Sequence, residues 1–353
     1  MKTLTPLLTA GALAGAALGT ARRTPDDLRG EVAVVTGASR GLGLLLAREL
    51  ARQGCKLIIC ARDPAELGQA AMRLREEAGA DVLSVACDVT GQDAPSRLVR
   101  AALDRHGRLD IVIGNAGIIQ VGPVQAATPE HFETARDTMA LAPARLARAA
   151  LPVMQGQRHG RIVTIASIGG KLGVPHLLPY STAKFAAVGF SEGLRAELGR
   201  GPVTVTTVVP GLMRTGSHLR ARFTGQAEKE FTWFGLGASL PLLSMDAERA
   251  ARQIIGAVRE RRAEIILTPA GQVVSRLAGL APGLTSEVMH LVQRLMLPGP
   301  AAAGPAGGEG TPGQDLEPAF SRKAFDRLTA MGRSAAARYN ERPRLSVWHS
   351  GCG

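Results

Sequence analysis

Short apolar runs alternate with longer helical stretches from Glu31 to about residue 268, and this alternation restricts the chain to few folds. The runs are only a few residues long and almost continuously apolar, which is typical of strands that are buried on both faces. Joined by right-handed helical crossovers, they predict an α/β fold, with a doubly wound parallel sheet of seven strands and helices on both faces, at about residues 29–268. The predicted strands are Val32–Thr36, Lys56–Cys60, Val82–Cys87, Ile111–Asn115, Arg161–Ala166, Val203–Val209 and Glu264–Leu267.

Residues 1–28 form an apolar N-terminal segment whose uncharged part, residues 4–21, is followed by Arg22 and Arg23. This part barely reaches the ~20 residues that a membrane-spanning helix needs. A signal peptide, a weak membrane anchor and a helix packed on the protein are all compatible with it. We favour a retained membrane contact through residues 4–21.

The chain continues beyond the predicted sheet with an apolar helical extension at residues 269–297. Residues 298–315 are dense in Pro, Gly and Ala and indicate a linker. The tail, residues 316–353, is expected to be either poorly ordered or docked on the domain. The predicted helices of this part are Gln272–Leu280, Ser286–Leu297 and a weakly amphipathic piece near Ala319–Tyr339.

The net charge of +12 and the pI near 10.5 are compatible with a nucleic-acid or anionic membrane partner. However, the arginines are scattered through helical stretches, and aromatic residues make up only 3% of the chain, which leaves few surfaces for base stacking. We therefore expect a solvated basic surface and no nucleic-acid partner. The cysteines have no metal-ligand spacing, so we expect reduced core thiols and no metal site. They are Cys55, Cys60, Cys87 and Cys352.

A glycine run, Thr36-Gly37-Ala38-Ser39-Arg40-Gly41-Leu42-Gly43, follows the first predicted strand and opens a helix. Glycines allow positive φ angles and close backbone approach, and the free amides at a helix N-terminus attract phosphate groups. The spacing is GxxxGxG rather than GxGxxG, and a tight turn without a ligand is the alternative for this run taken alone. Together with the parallel sheet, the run predicts a Rossmann-type dinucleotide site. Its predicted cofactor-binding residues are Gly37, Ser39, Arg40, Gly41, Leu42 and Gly43.

Two further pieces lie at the carboxyl ends of predicted strands, where open α/β sheets bind their ligands. Asp88 and Val89 follow the third strand, where a short acid can accept a hydrogen bond from an adenine amino group. Asn115, Ala116 and Gly117 end the fourth strand, and in isolation they indicate an ordinary turn. Beside the glycine run, both pieces extend the predicted cofactor site.

Two arginines indicate which dinucleotide binds. Arg40 lies inside the glycine run and Arg62 follows the second strand, where an NAD enzyme has a carboxylate for the ribose hydroxyls. A guanidinium suits a 2′-phosphate, so NADP(H) is the predicted cofactor. Asp63 keeps NAD(H) open, and ordinary surface charge is the alternative reading of both arginines.

Tyr180 and Lys184 are four residues apart, so they lie on one face of a helix about one turn from each other. A free phenol has a pKa of about 10, and a neighbouring ammonium favours the phenolate. We therefore expect Lys184 to lower the pKa of Tyr180 toward the working pH of an acid–base catalyst. Ser167 ends the fifth strand, where its hydroxyl can bind the carbonyl oxygen that Tyr180 protonates. These three are the predicted catalytic residues.

With these residues in place, the sequence resembles the short-chain dehydrogenase/reductase family over about residues 29–268. The resemblance rests on Thr36–Gly43, Asn115–Gly117, Ser167, Tyr180, Lys184 and Pro210-Gly211 with Thr215. It implies hydride transfer between NADP(H) and a small carbonyl/alcohol pair, with Tyr180 as general acid or base and Lys184 also binding the nicotinamide ribose. It further implies that the segment with Pro210, Gly211, Met213 and Thr215 covers the nicotinamide carboxamide. We also expect a homo-oligomer.

One position departs from the family pattern. The helix asparagine that helps to hold a water in the family's proton relay falls at about Met139, and a thioether does not replace an amide. Either Thr138 or a backbone carbonyl supports the water, or the relay is weaker. A non-catalytic NADP-binding regulator or scaffold of the same fold is therefore the alternative function.

Residues 216–243 hold much of the scarce aromatic content, including Phe223, Phe231 and Phe234. We expect them to form an apolar lid over the substrate, and the alternatives are an oligomer contact or a packed helix pair. With the apolar N-terminus, this lid predicts a lipophilic carbonyl or alcohol substrate. Because a phosphorylated nicotinamide cofactor is a cytosolic reagent, we expect a cytoplasmic protein attached to the cytoplasmic face of a membrane.

Overall fold

The computed structural model describes residues 25–241, 244–299, 310–317 and 323–341, and for residues 323–328 it describes the backbone only. Its centre is a sheet of seven strands, and every neighbouring pair of strands is parallel. The strands are β1 (Val32–Thr36), β2 (Lys56–Ala61), β3 (Val82–Ala86), β4 (Ile111–Gly114), β6 (Gly160–Ile165), β7 (Val203–Val209) and β11 (Glu264–Ile266). Their order across the sheet is β11, β7, β6, β4, β1, β2, β3, so the winding reverses between β1 and β4. All predicted strands are found within one residue of their predicted bounds, which confirms the doubly wound Rossmann-type fold.

Helices connect these strands and cover both faces of the sheet. They are α1 (Gly41–Arg52), α2 (Pro64–Ala78), α3 (Ala94–His106), α4 (Pro129–Arg136), α5 (Ala142–Gly156), α6 (Leu178–Leu198), α7 (Ala227–Ser239) and α8 (Ala247–Arg259). Five short strands were not predicted, because two or three residues are too few for a periodic pattern. They are β5 (Gln120–Val121), β8 (Leu212–Arg214), β9 (Arg222–Phe223), β10 (Ser244–Asp246) and β12 (Thr311–Pro312).

The hydrophobic core lies in two layers, one on each side of the sheet. In β1, Ala33 and Val35 pack with α1, α2 and α8, whereas Val32 and Val34 pack with α3 and α5. All four side chains are fully buried. Successive side chains of a strand point to opposite faces, so a strand covered on both sides must be apolar at every position.

Three aromatic side chains of residues 216–243 lie in the core, and the apolar lid over the substrate stays a prediction. Phe223, Phe231 and Phe234 are buried in a third core cluster, where they pack against Leu316 and Ala336. Phe223 and Phe231 meet edge to face, with ring centroids 5.4 Å apart. These rings therefore hold the C-terminal part of the chain on the domain, as the packed-helix alternative requires. Residues 242–243 of the predicted lid lie outside the described residues.

The C-terminal extension consists of α9 (Pro269–Leu280) and α10 (Pro282–Met296), and neither helix contains a buried residue. Residues 311–315, the last part of the predicted linker, lie instead in β12 and in the single turn α11 (Gly313–Leu316). β12 pairs with β9, which explains why this part of the predicted linker is ordered. The tail helix α12 (Lys323–Arg338) packs on α7, so the docked alternative holds for the described part of the tail.

Membrane contact through residues 4–21 falls outside the described residues, as do Cys352 and residues 300–309 of the predicted linker. Within the described ranges, no helix combines the length and the apolar character needed to cross a membrane. Cys55, Cys60 and Cys87 are buried free thiols, as predicted.

Candidate active site

The glycine run turns tightly between β1 and α1, and its glycines are required by geometry. Gly37 and Gly41 have φ angles of 64° and 54°, which side chains with a Cβ rarely adopt. Gly43 faces the backbone of Gly37 so closely that a Cβ would lie 2.8 Å from its carbonyl carbon and 2.6 Å from Nδ2 of Asn115. The positions of Gly37, Gly41 and Gly43 therefore favour glycine, and the loop brings backbone amides to the N-terminus of α1.

Asn115 braces this loop from the end of β4. Its Nδ2 donates to the carbonyl oxygens of Thr36 (3.0 Å) and Gly37 (3.2 Å). The hydroxyl of Thr36 in turn accepts from the amides of Asn115 (3.0 Å) and Ala116 (3.1 Å). Because β1 and β4 are the two strands at which the winding reverses, these bonds fix the crevice where such sheets bind ligands. Asn115 thus acts as a positioning residue for the glycine run.

A cleft of about 540 Å³ runs along the carboxyl ends of the strands, within the size range of ligand sites. Most of the predicted site residues line this cleft, including both arginines and both members of the Tyr180–Lys184 pair. The predicted residues that line it are Gly37, Ser39, Arg40, Leu42, Gly43, Arg62, Asp88, Val89, Asn115, Ala116, Gly117, Tyr180, Lys184, Pro210, Met213 and Thr215. Gly41, Ser167 and Gly211 are absent from its wall. Ser167 lies beside Tyr180, and Gly211 lies near Thr268.

Tyr180, Ser167 and Lys184 converge at one end of the cleft. Ser167 makes a side-chain hydrogen bond to Tyr180, and its Oγ also accepts from the amide of Gly169 at 3.1 Å. Nζ of Lys184 lies 5.7 Å from the centroid of the Tyr180 ring and donates to the carbonyl oxygen of Ile165 at 2.7 Å. Helix α6 carries the tyrosine and the lysine on one face, as their spacing predicts, and the end of β6 brings in the serine.

Burial shifts the pKa values of both Tyr180 and Lys184. Burial raises the pKa of Tyr180, and the hydrogen bond from Ser167 opposes the rise without cancelling it. Burial also lowers the pKa of Lys184 to about 8, because the low-dielectric surroundings disfavour its ammonium form. Desolvation is the largest influence on the pKa of Tyr180 here, and Lys184 is not among the groups that shift it. The expected lowering of this pKa by Lys184 therefore stays a prediction.

Met139 lies at the site, as the resemblance implies, and it is buried against Tyr180 and Ala183. The segment Asp137–Leu141 around it is a π-helix, which was not predicted. There the amide of Ala142 donates to the carbonyl oxygen of Asp137, five residues earlier. π-bulges of this kind occur mostly at functional sites, and this one turns Thr138 and Met139 toward the cleft.

The opposite end of the cleft is rich in charge. Arg40 pairs with Glu66 at 2.5 Å, and Arg220 pairs with the other oxygen of Glu66 at 2.6 Å. Arg62 lines the same end. Asp63, the residue that kept NAD(H) open, caps α2 by accepting from the amides of Ala65 and Glu66. This carboxylate is therefore engaged in holding a helix.

Asp88 lies nearby in a polar setting. Burial raises the pKa of Asp88, but hydrogen bonds from Thr90 and the charge of Arg62 outweigh it, so the pKa lies below its usual value. Oδ1 of Asp88 accepts from the amide and the hydroxyl of Thr90 at 2.9 and 2.8 Å. Asp88 is thus ionised, and it is held in place by its own turn.

The model of the short chain dehydrogenase family matches residues 31–223 of this chain. The chain belongs to the short-chain dehydrogenase family. Dehydrogenase/reductase SDR family member 7B of Bos taurus is 30% identical to this dehydrogenase over 268 residues, which make up 74% of this chain and 81% of that protein.

Two solved structures are similar in fold to this chain. L-Sorbose reductase from Gluconobacter frateurii, complexed with NADPH and L-sorbose, has a TM-score of 0.61 and 28% identity, and the match covers 69% of this chain and 97% of that chain. A short-chain dehydrogenase/reductase from Burkholderia phymatum, in complex with NAD, has a TM-score of 0.65 and 26% identity over 79% and 99% of the two chains. A nicotinamide dinucleotide is therefore the cofactor of this oxidoreductase.

Sequence reasoning missed three charged residues of this short-chain dehydrogenase that line the cleft, namely Glu66, Arg220 and Glu341. Glu341 comes from the tail, and its carboxylate lies over Gly41, which explains why Gly41 is absent from the cleft wall. The only sequence signal for Glu341 was a charged residue just after the weakly amphipathic segment near Ala319–Tyr339. Its position depends on how α12 packs on α7.

Proposed function

We propose that this chain is an NADP(H)-dependent oxidoreductase that transfers a hydride between nicotinamide and a carbonyl/alcohol pair, with Tyr180 as general acid or base. The observation that carries the proposal is the convergence of Tyr180, Ser167 and Lys184 at one end of a cleft whose other end is the glycine loop. A reduced dinucleotide supplies the hydride when it is bound. The chain itself must bind and orient both partners and deliver a proton.

The residues present fit such a dinucleotide. The cradle around Gly43 leaves no room for a side chain, so backbone amides are the groups that meet a ligand there. The carboxylate of Glu341 already lies at this helix N-terminus, which supports its suitability for an anion. Gly37, Leu42 and Gly43 would hold the diphosphate, and Lys184 and Thr215 would lie toward the nicotinamide half.

Tyr180 is suited to give a proton rather than to take one. Its pKa is raised by burial, so the phenol stays protonated at neutral pH. Its hydrogen bond with Ser167 would orient both hydroxyls toward a single carbonyl oxygen. In carbonyl reduction, the developing alkoxide would then receive its proton from Tyr180.

Three features support NADP(H) over NAD(H). Arg40 and Arg62 lie together at the end of the cleft where the adenosine ribose would bind. Arg220, which the sequence did not predict, adds a third guanidinium there. Asp63 already uses Oδ1 to cap α2, accepting from the amides of Ala65 and Glu66, which ties this carboxylate to the helix. An NADPH-bound relative and an NAD-bound relative have both been solved, so the local residues decide the preference.

The substrate part of the cleft supports a partly apolar carbonyl compound. Ile118, Ile119 and Met139 line the cleft beside Tyr180, together with the hydroxyls of Thr134 and Thr138. The buried aromatic cluster contributes no ring to this wall. A lipophilic substrate therefore rests on the isoleucine and methionine side chains rather than on a lid.

The deciding experiment measures NADPH oxidation over a panel of ketones and aldehydes for wild type and Tyr180→Phe. We expect turnover of at least one carbonyl compound by wild type, and a loss of about 10²–10⁴-fold in kcat for the variant, with NADPH affinity and Tm unchanged. A protein that binds NADPH but gives no Tyr180-dependent turnover would instead be a regulator or scaffold, and the catalytic proposal would be rejected.

Membrane contact is proposed for two apolar surfaces of the chain. Exposed stripes run along α9, through Val273, Leu277 and Leu280, and along α10, through Leu284 and other large apolar residues. Patches of this kind mark sites of interaction, and residues 4–21 add a second apolar element. Flotation with anionic vesicles of full-length protein and of a variant lacking residues 1–23 tests this contact. Light scattering of the same samples tests the predicted homo-oligomer.

A further inference from the structure

The last described part of the tail, Tyr339–Glu341, lies directly on the glycine loop. The amide of Gly41 donates to the carbonyl oxygen of Tyr339 at 2.8 Å, and Nδ2 of Asn340 donates to the carbonyl oxygen of Ser39 at 3.0 Å. Gly41 is the first residue of α1, so its amide has no acceptor within the helix. The segment Tyr339–Glu341 therefore uses a donor that a diphosphate would need.

Glu341 brings a carboxyl group to the same place, and burial raises its pKa to about 7, while Arg40 and Arg220 favour its ionised form. Its side chain is only 6% exposed, and Oε2 lies 3.3 Å from Nε of Arg40. A Cβ on Gly41 would collide with the other carboxylate oxygen, so the carboxylate rests against the loop. The carbonyl oxygen of Glu341 accepts from Nε of Arg220 at 2.8 Å. Oε2 is nevertheless buried without a hydrogen bond from any described residue.

The segment is held there by packing as well as by polar contacts. Ala336 is fully buried and lies so close to Gly216 that a Cβ on this glycine would clash with it. The ring of Tyr339 is buried, and its hydroxyl lies 3.4 Å from Oε1 of Glu248. Arg73 donates to the carbonyl oxygen of Arg338 at 3.1 Å. These anchors are Ala336, the carbonyl of Arg338 and the ring of Tyr339, so the backbone from the carbonyl of Tyr339 to Glu341 can leave the loop while α12 stays in place.

We propose that Tyr339–Glu341 is a built-in competitor for the phosphate-binding end of the cleft, and that a bound dinucleotide displaces it. This inference rests on the proposed cofactor site. A carboxylate and a phosphate are both anions, and together they would repel each other at the N-terminus of α1. Displacement frees the amide of Gly41 and the guanidinium of Arg40, the groups that a dinucleotide phosphate requires.

The docked segment weakens NADPH binding, because only molecules in which the segment is released can bind the cofactor. The apparent dissociation constant equals the intrinsic one divided by that fraction. If the segment is docked in nine molecules out of ten, the apparent affinity for NADPH is about tenfold weaker than that of an undocked chain. The tail thereby sets the NADPH concentration at which the enzyme becomes loaded.

Calorimetric titration of full-length protein with NADPH tests the inference. The variants are Glu341→Gln, which removes the charge with little change of shape, and Glu341→Ala, which removes the side chain. Glu76→Gln is the matched control, because Glu76 is exposed on α2 and loses the same charge. We expect both Glu341 variants to bind NADPH about tenfold more tightly than wild type, and the control to match wild type.

Hydrogen exchange of residues 329–341 gives an independent readout. We expect exchange in wild type to rise when NADPH binds, because the segment leaves the loop. Unchanged affinity in both Glu341 variants overturns the inference and leaves the proposed function intact. Weaker NADPH binding by the Glu341 variants, or lower hydrogen exchange of the segment when NADPH is added, also overturns the inference. The segment would then be part of the cofactor site. No NADPH binding by wild type or by Glu341→Ala rejects the proposed cofactor and the inference with it.

Discussion

Replacing Gly43 by alanine tests whether close packing of backbone on backbone holds the cofactor loop. The added Cβ would lie 2.8 Å from the carbonyl carbon of Gly37 and 2.6 Å from Nδ2 of Asn115, where ordinary contacts are 3.4–4 Å. One of these neighbours is backbone, and the other makes two hydrogen bonds to the loop. The backbone of Gly37 cannot move away without shifting the end of β1, and the side chain of Asn115 cannot move away without losing its hydrogen bonds to the loop.

The expected cost follows from three contributions. Overpacking costs ~2 kcal/mol, and loss of one of the hydrogen bonds of Asn115 costs about 1 kcal/mol. Alanine gains about 1 kcal/mol over glycine inside a helix, which offsets part of this. The net loss is about 2 kcal/mol, and the melting temperature should fall by roughly 3 °C.

Thermal unfolding and NADPH titration of Gly43→Ala measure both consequences, and binding should weaken more than stability because the loop itself moves. Gly189→Ala is the matched control, since this glycine is exposed within α6 and a Cβ there meets nothing. We expect the control to gain up to about 1 kcal/mol and to bind NADPH normally. A Gly43→Ala protein that melts and binds like wild type would refute the packing argument.

The remaining predictions concern pH, the loop brace and cofactor choice. Because burial raises the pKa of Tyr180, the phenol stays protonated and carbonyl reduction should be constant through neutral pH. Alcohol oxidation needs the phenolate and should rise with pH; pH–rate profiles in both directions check this. Thr36→Val leaves the amides of Asn115 and its neighbour without an acceptor and should cost ~2 kcal/mol in urea unfolding, whereas Thr36→Ser should stay near wild type. Arg62→Ala should weaken NADPH binding about tenfold and leave NADH binding unchanged, and equal losses for both cofactors would contradict its assignment to the 2′-phosphate.

The strands and the cofactor loop could be predicted because their structural requirements are met by residues that are close together in sequence. β1 is apolar at successive positions, and only a strand covered on both faces requires that. Gly37 and Gly41 adopt positive φ angles, and glycine is the residue that adopts them most easily. The presence of glycine at these positions therefore indicates the turn. Tyr180 and Lys184 share one helix face because their spacing matches a helical turn.

The lid and the protonation of the site could not be predicted in the same way. Phe223 and Phe231 are equally suited to a lid and to a core, and the packing of α12 decides for the core. The pKa of Tyr180 depends on how deeply the hydroxyl is buried. The spacing of residues along the chain does not reveal this burial. The predicted effect of Lys184 on this pKa depends in the same way on atom positions that only the folded site fixes.

The sequence by itself determined the parallel sheet, the glycine loop and the pair on α6, because each depends on residues that are close along the chain or on the pattern of a single element. Only the tertiary structure decided that Glu341 lies over Gly41, three hundred residues away in sequence. That contact exists because α12 packs on α7 and leaves the chain pointing at the N-terminus of α1. Packing between distant elements, and the desolvation that comes with it, has no local signature in the order of residues.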